Sequence, residues 1–456
     1  MFNGWICGSY FTNTFNFYIF RKIFSKWFNS WKCQRIMKNS IKEAKRTLIN
    51  NRRLNYTLPT NTKLYPAQWN WDSAFIALGY SNFNLDYSFQ ELETLISGQW
   101  DDGMIPHILF HIKDLNYTPN YKAWNCGKKV SSSGITQPPI LASILRIIIE
   151  RQKFSKKEIK KYQSLIFKIK KCLEWFIRYR DPKRTGLISI LHPWESGYDN
   201  SPLWDKPMSK IKTELNLNYK RKDNIIVNQS ERPLKIDYDR YVTIKNHLKE
   251  MNYDPKKLYF KSKFNVVDVG FNSLFLKALK DIDFLLRCIG KRNSSIKKYI
   301  LLNERKLIKL FNSKKMTFKN KDIRNNSLVA IPSITNFFML FADLNNNSIN
   351  RSLIKSLKKY NKDNKYLFPS INSKHQSFDE KRYWRGPVWV NCNWIIYQGL
   401  KNKDKKFAEL IRKKTLNLVE KKKFREYYSC KSGLGMGAKN FSWTAALYLD
   451  FKLNSY

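Results

Sequence analysis

The chain has 456 residues, of which 43% are hydrophobic and 15% aromatic, with 14 Trp; that excludes an aromatic-poor disordered chain and allows a large buried core. Length alone admits either two or three average domains or one large helical unit. The formal charge of +48 reads either as a surface for a polyanion partner or as a coding bias that spreads Lys over solvated helix faces, as at Lys160, Lys161, Lys168, Lys170 and Lys171. We favour the bias, which still implies salt-sensitive, non-specific adhesion to polyanions.

Residues 1–36 form an extension with two readings. Phe20, Ile23, Phe24, Trp27, Phe28 and Trp31 recur at helical spacing with Arg21, Lys22 and Lys26 between them, as in an interfacial helix. Alternatively Met37, followed by the helix start Lys-Asn-Ser-Ile-Lys-Glu-Ala, is the true beginning and the upstream stretch a mis-start. The aromatic run Phe15 to Phe20 is too broken for a secretory segment and too short to span a bilayer. A cytoplasmic location is expected, with targeting or membrane-surface association left open. The seven cysteines form no CxxC pair and are odd in number, which points to a reduced protein without a disulfide framework.

Further along, Pro138-Pro139 precedes an apolar run from Ile140 to Glu150, as first-turn prolines do. Ile159, Tyr162, Ile166, Ile169, Leu173 and Phe176 mark one face of a long helix that ends before Asp181-Pro182. Phe275, Leu279, Ile282, Leu286 and Ile289 mark another, with Gly290 where a helix-terminating glycine belongs. Phe407, Leu410, Ile411 and Leu418 mark a third. Clean alternation is scarce, so the fold is read as all-α. No Gly/Ser-rich linker divides the remainder, so 37–456 is expected to be one domain.

Between the helices lie loops in which Trp, Gly, Pro and carboxylates concentrate: Tyr65–Asp72, Gln99–His111, Pro193–Asp205, Arg382–Trp389 and Phe424–Trp443. Rigid aromatics on loops of a helical scaffold are where a site is built. Sugar rings offer apolar C–H faces and many hydroxyls, so a sugar site needs aromatic platforms beside hydrogen-bonding carboxylates. Trp69, Trp71 and Asp72 supply both, although Asp72 also suits the N-cap of the run Ala74 to Leu78. In Trp194-Glu-Ser-Gly-Tyr-Asp-Asn-Ser-Pro-Leu-Trp-Asp205, the carboxylates Glu195, Asp199 and Asp205 stand among aromatics, where an acid is pushed toward neutrality. Asp199-Asn200-Ser201-Pro202 is equally good turn chemistry. Glu426, in Phe424-Arg-Glu-Tyr-Tyr428, is the second carboxylate that glycoside hydrolysis requires. His107 and His111 have four-residue spacing but lack the Glu of a zinc helix, and no metal is expected.

The ordered set Tyr65-Pro-Ala-Gln-Trp-Asn-Trp-Asp72, Gln99-Trp-Asp-Asp-Gly-Met-Ile-Pro-His107, Trp194-Glu-Ser-Gly-Tyr-Asp-Asn-Ser-Pro202, Tyr383-Trp-Arg-Gly-Pro-Val-Trp389 and Glu426-Tyr-Tyr with Ser442-Trp-Thr-Ala-Ala446 resembles glycoside hydrolase family 63. Within that family it is most similar to the bacterial glucosylglycerate and mannosylglycerate hydrolases, from about residue 40 to 452. The resemblance implies an (α/α)6 barrel with long loops at its mouth, inversion at the anomeric carbon and no cofactor. It implies Asp199 as general acid and Glu426 as general base. Tyr65, Trp69, Trp71, Asp72, Gln137, Trp194, Gly197, Tyr383, Trp384 and Trp389 are then the residues expected around the sugar, with Arg232 and Tyr238 at the carboxylate of glycerate.

Arg is a natural bidentate carboxylate partner, which makes an acidic aglycone sensible. The glucosylglycerate enzymes that the chain resembles have Gln where it has Phe441, which puts glycerate specificity in question. The expected activity is hydrolysis of a small α-glucoside or α-mannoside. The enzymatic alternative is an oligosaccharide α-glucosidase or trehalase-like enzyme. The other class, a basic nucleic-acid-binding protein, would interleave Lys and Arg with aromatics, whereas here Trp stands with Asp, Glu and Gly. No specific nucleic-acid partner is expected, and oligomeric state is not legible.

Overall fold

A computed structural model describes residues 39–454; the aromatic stretch read as an interfacial helix, with Cys7 and Cys33, lies outside them. The described residues are mostly helical. A first helix, α1, covers 39–51. It is followed by α2 (Asn70–Tyr80), α3 (Leu85–Ser97), α4 (Leu141–Arg151), α5 (Gln163–Tyr179), α6 (Lys235–Glu250), α7 (Val269–Cys288), α8 (Ser294–Ile308), α9 (Met339–Ala342), α10 (Asn347–Tyr360), α11 (Val390–Leu400), α12 (Lys405–Lys422) and α13 (Ser442–Leu453).

Two kinds of helix alternate. All residues of α2 and α11 are buried, as are those of α13 from Ser442 to Phe451, so these helices have no solvent face and belong inside. In α12 only one stripe is buried, formed by Phe407, Ala408, Ile411, Thr415, Leu416, Leu418 and Val419. The buried helices pack in succession: α2 on α4, α4 on α7, α7 on α9, α9 on α11, α11 on α13, and α13 back on α2. The amphipathic ones lie against them, α3 on α2, α8 on α7 and α12 on α11 and α13. Lys160, Lys161, Lys168 and Lys171 are exposed, which accords with a solvated charged face. Among the described residues, no helix is long and apolar enough to cross a membrane, and five cysteines are free thiols.

The helix ends follow the sequence with informative exceptions. Gly290 has φ +74°, and Lys291 N–H reaches Leu286 O at 2.9 Å, closing α7 as expected. The long helix expected across Ile159–Phe176 is broken: a short helix, Lys156–Lys161, ends at Tyr162, and α5 starts at Gln163. Ser155 and Glu158 form a capping box that starts the short piece, while the Tyr162 ring stacks on Phe89 at 3.8 Å. That stacking pins the break, a tertiary contact that periodicity does not reveal. Pro138-Pro139 precede the N-cap Ile140 rather than occupying the first turn of α4.

Short antiparallel pairs join the loops. β1 (Gln68–Trp69) pairs with β2 (Ile108–Leu109), and β3 (Arg425–Tyr428) with β4 (Gly435–Lys439). The β3–β4 register shifts between Arg425 and Tyr427, so the irregularity falls on Glu426. Such bulges re-aim a side chain. An isolated bridge from Val388 to Tyr428 ties the Arg382–Trp389 loop to β3.

Candidate active site

All five aromatic-rich loops contribute to one cavity. Its wall includes Tyr65, Trp69, Trp71, Asp72, Gln137, Trp194, Gly197, Asp199, Arg232, Tyr238, Tyr383 and Glu426, with Phe441 and Trp443. Twelve of the fourteen residues expected from sequence therefore meet. The other two, Trp384 and Trp389, do not line it: their rings stack parallel at 3.8 Å, and Trp384 backs Trp71 at 6.4 Å. They form a second row that stiffens the wall. Gly197 has φ +79°, and a Cβ there would fall 2.6 Å from the Trp71 ring, so only glycine lets these two parts of the wall close together.

Asp199 lies in the expected turn, with Ser201 N–H bonding Tyr198 O at 3.1 Å and the Asn200 side chain accepting Trp384 N–H at 3.0 Å. The turn forms, and it places Asp199 on the cavity wall. Tyr241 donates its hydroxyl to the Asp199 carbonyl at 3.0 Å. Burial pushes the Asp199 carboxyl up to about 7, against the pull of the Arg232 cation and its own backbone amide. The two neighbouring acids are elsewhere. Glu195 is wholly buried in a two-pronged pair with Arg180, at 2.6 and 3.1 Å, and also accepts Leu191 N–H at 2.6 Å. Asp205 pairs with Arg385 at 2.8 Å near the surface.

Glu426 is gripped on both oxygens. Tyr65 donates to Oε1 at 2.8 Å and Ala438 N–H to Oε2 at 2.9 Å, while Arg232 Nη1 stands 3.7 Å from Oε1. Burial raises its pKa; Arg232, the Ala438 amide and the Tyr65 hydroxyl hold it down in part. The Asp72 carboxyl is pushed well above the usual range by burial and then by repulsion from Glu426. Asp72 does not cap a helix: Trp69 holds the N-cap position of α2, and Asp72 falls in its first turn, facing the cavity.

Arg232 differs from a free carboxylate clamp. It is 3% exposed; its Nε donates to Asp223 at 3.1 Å, and Nη1 donates to Tyr65 at 3.1 Å. Its guanidinium also lies 4.3 Å from the Tyr383 ring centre. Arg221 shares Asp223, at 2.6 Å, and covers the Tyr238 ring. Arg232 thus serves the carboxylate framework of the site as well as its wall.

The wall also holds Pro59, His107, Ile108, Tyr117, Thr118 and Pro119, to which sequence reasoning assigned no sugar-site role. The turn-forming Tyr117-Thr-Pro119 was a usable signal, an aromatic beside a proline in a polar loop. His107 and His111 part company: His107 reaches the cavity, whereas His111 contacts Gln68 at 2.8 Å.

Comparison with known proteins identifies the family. The mannosylglycerate hydrolase MGH1-like glycoside hydrolase domain matches residues 65–444. A mannosylglycerate hydrolase of Thermus thermophilus is 38% identical over 413 residues, covering 89% of this chain and 99% of the relative. A glucosylglycerate hydrolase of Mycolicibacterium hassiacum is 29% identical, covering 85% and 92%. Among solved structures, a family 63 mannosylglycerate hydrolase from another strain of Thermus thermophilus, in complex with Tris and D-glycerate, aligns with a TM-score of 0.87 at 37% identity, covering 91% and 100%. Neutral trehalase Nth1 of Saccharomyces cerevisiae, at 16% identity and a TM-score of 0.54, shares the fold alone. The chain belongs to the MGH1-like mannosylglycerate and glucosylglycerate hydrolase group of glycoside hydrolase family 63.

Proposed function

We propose that this protein hydrolyses mannosylglycerate or glucosylglycerate with inversion, Asp199 acting as general acid and Glu426 as general base in the mouth of an (α/α)6 barrel. The cyclic packing of α2, α4, α7, α9, α11 and α13 supports the barrel. One observation carries the mechanism: two carboxyl groups on one cavity wall are held in opposite ways. The Asp199 carboxyl, with its pKa near neutrality, is able to keep a proton for the departing oxygen. The Glu426 carboxyl, fixed by Tyr65, Ala438 and Arg232, is oriented to take a proton from water. Burial raises both carboxyls, so the role of base is supported by the donors that orient both Glu426 oxygens rather than by burial.

Trp69, Trp71 and Trp194 would stack on the sugar, and Asp72 would bond its hydroxyls. An acidic aglycone would lie toward Arg232 and Tyr238, sharing Arg232 with Asp223; Phe441 gives that region an apolar side.

Release of sugar from mannosylglycerate, glucosylglycerate, trehalose, kojibiose, nigerose and maltose tests this, with NMR of the first-formed anomer. Turnover confined to the glycerate conjugates with the inverted anomer is expected. Retention would overturn the inverting mechanism, and preference for a neutral disaccharide would overturn the substrate.

A further inference from the structure

The segment Gln68–Ser73 brings Trp69, Trp71 and Asp72 to the cavity, yet the N-cap residue of α2, Trp69, makes no side-chain cap bond. Its anchor comes from α3. The Oε1 atom of Glu91 accepts the Ser73 hydroxyl at 2.6 Å and the Gln68 side-chain amide at 3.0 Å. The Glu91 main-chain carbonyl accepts the same amide at 3.1 Å, and the Gln68 oxygen meets His111 Nε2 at 2.8 Å. The residue before Trp69 and the residue after Asp72 are therefore tied to one carboxylate.

That carboxylate is an expensive anchor. Glu91 has no exposed surface and no ion-pair partner among the described residues; its Oε2 has no hydrogen-bond partner. Burial raises its pKa to about 7, while the bonds from Ser73 and Gln68, the nearby Thr57 hydroxyl and the Arg52 charge oppose the rise. A buried, half-satisfied acid destabilises relative to an apolar side chain of the same shape. A role in stability alone does not explain it, and one in geometry does.

We propose that Glu91 is a positioning residue of the sugar site, which holds Trp69, Trp71 and Asp72 in place through Gln68 and Ser73 without itself touching substrate. The assignment rests on reading those three residues as the sugar wall. Its test uses the full chain and separates position from stability. Glu91→Ala removes the tether. Leu353→Ala removes a fully buried side chain from α10, outside the site, as a control for general destabilisation. Glu91→Gln keeps an acceptor oxygen of the same length.

Hydrogen exchange followed by mass spectrometry should accelerate over residues 68–75 in Glu91→Ala and not in Leu353→Ala. With mannosylglycerate or glucosylglycerate, Glu91→Ala should raise KM about 10-fold with a smaller change in kcat, the scale of one lost hydrogen bond to a charged group. Glu91→Gln should recover most of that loss. Ser73→Ala, which cuts one tether and keeps the acid, should speed exchange over the same residues and decides the matter if Glu91→Ala does not fold. Unchanged exchange over 68–75, an equal effect of Leu353→Ala, or no rescue by Gln would overturn the proposal. If the wild type hydrolyses neither glycoside, the substrate reading fails, and the exchange measurements still decide the tether.

Discussion

The two sides of the cavity treat their acids differently. On the side built by the 193–205 loop, the protein grips the backbone and leaves the carboxyl to the cavity: Tyr241 bonds the Asp199 carbonyl, and no side chain among the described residues hydrogen-bonds the carboxyl. On the β3–β4 side it grips the carboxyl itself, with a phenol on one oxygen and an amide on the other. Burial acts on both. Desolvation alone raises a carboxyl, whereas donors aimed at its oxygens favour the charged form. Two similar side chains lining one cavity are thus held in different ways, which is the physical basis of the acid and base roles proposed for them.

The largest test of that contrast is the leaving group. Asp199→Asn should cut hydrolysis of the natural glycoside by about 10²–10⁴-fold and largely spare the matching glycosyl fluoride, which departs without protonation. Glu426→Gln should depress both substrates alike, since each needs the activated water. For the wild type, the acid must be protonated, so kcat/KM on the glycoside should fall as pH rises past about 7, the value to which burial brings Asp199. The fluoride should lack that alkaline limb. Asp72, also raised by burial, is the rival acid: the fluoride-sparing pattern in Asp72→Asn instead of Asp199→Asn would exchange their roles.

Next in size is Arg232→Ala. The Arg232 cation holds down both Asp199 and Glu426, so its loss should raise both pKa values and move both limbs of the pH profile upward. Activity on an acidic aglycone should fall about 10–100-fold and more than on a neutral glycoside, the scale of a lost charge-assisted pair. Equal losses on both would make Arg232 purely part of the carboxylate framework.

Smaller still, Tyr65→Phe removes the phenol from Glu426 and should raise only the acidic limb, lowering kcat/KM about 10-fold where Glu426 is then protonated. The smallest effect belongs to Tyr241→Phe. It loosens the backbone of Asp199 without touching its carboxyl, so activity should change a few-fold and stability by about 1 kcal/mol in a denaturant titration. A large shift of the alkaline limb in that variant would break the distinction between gripping backbone and gripping carboxyl.

Much of the site was legible because its chemistry demands unusual company: tryptophan beside acid on loops is hard to explain as core or solvent face. What escaped depends on distance through space. Glu195 and Asp205 look like Asp199 in sequence, and only their partners Arg180 and Arg385 remove them from the cavity. Trp384 and Trp389 share composition with the wall but stack behind it. Arg232 reads as a ligand clamp until Asp223 is seen beside it. In the fold, apolar spacing located α5, α7 and α12, while the break at Tyr162 followed from Phe89, a residue 73 positions earlier.

The packing of α13 on α2 has a consequence for how the protein is made. The two helices meet so closely that a Cβ on Gly79 would fall 2.4 Å from the Ala446 Cβ, and Ser442 bonds back to Leu58 O at 2.6 Å. Yet Tyr80 and Ser442 are separated by about 360 residues, which a ribosome takes on the order of 20–70 s to add. Throughout that interval the apolar flank of α2 has been synthesised and its permanent cover has not. Contacts this remote in sequence close slowly and leave nascent chains prone to aggregate. Translation speed and chaperone supply should therefore govern the yield of soluble protein, and a ribosome stalled before residue 442 should display α2 as a persistent sticky surface.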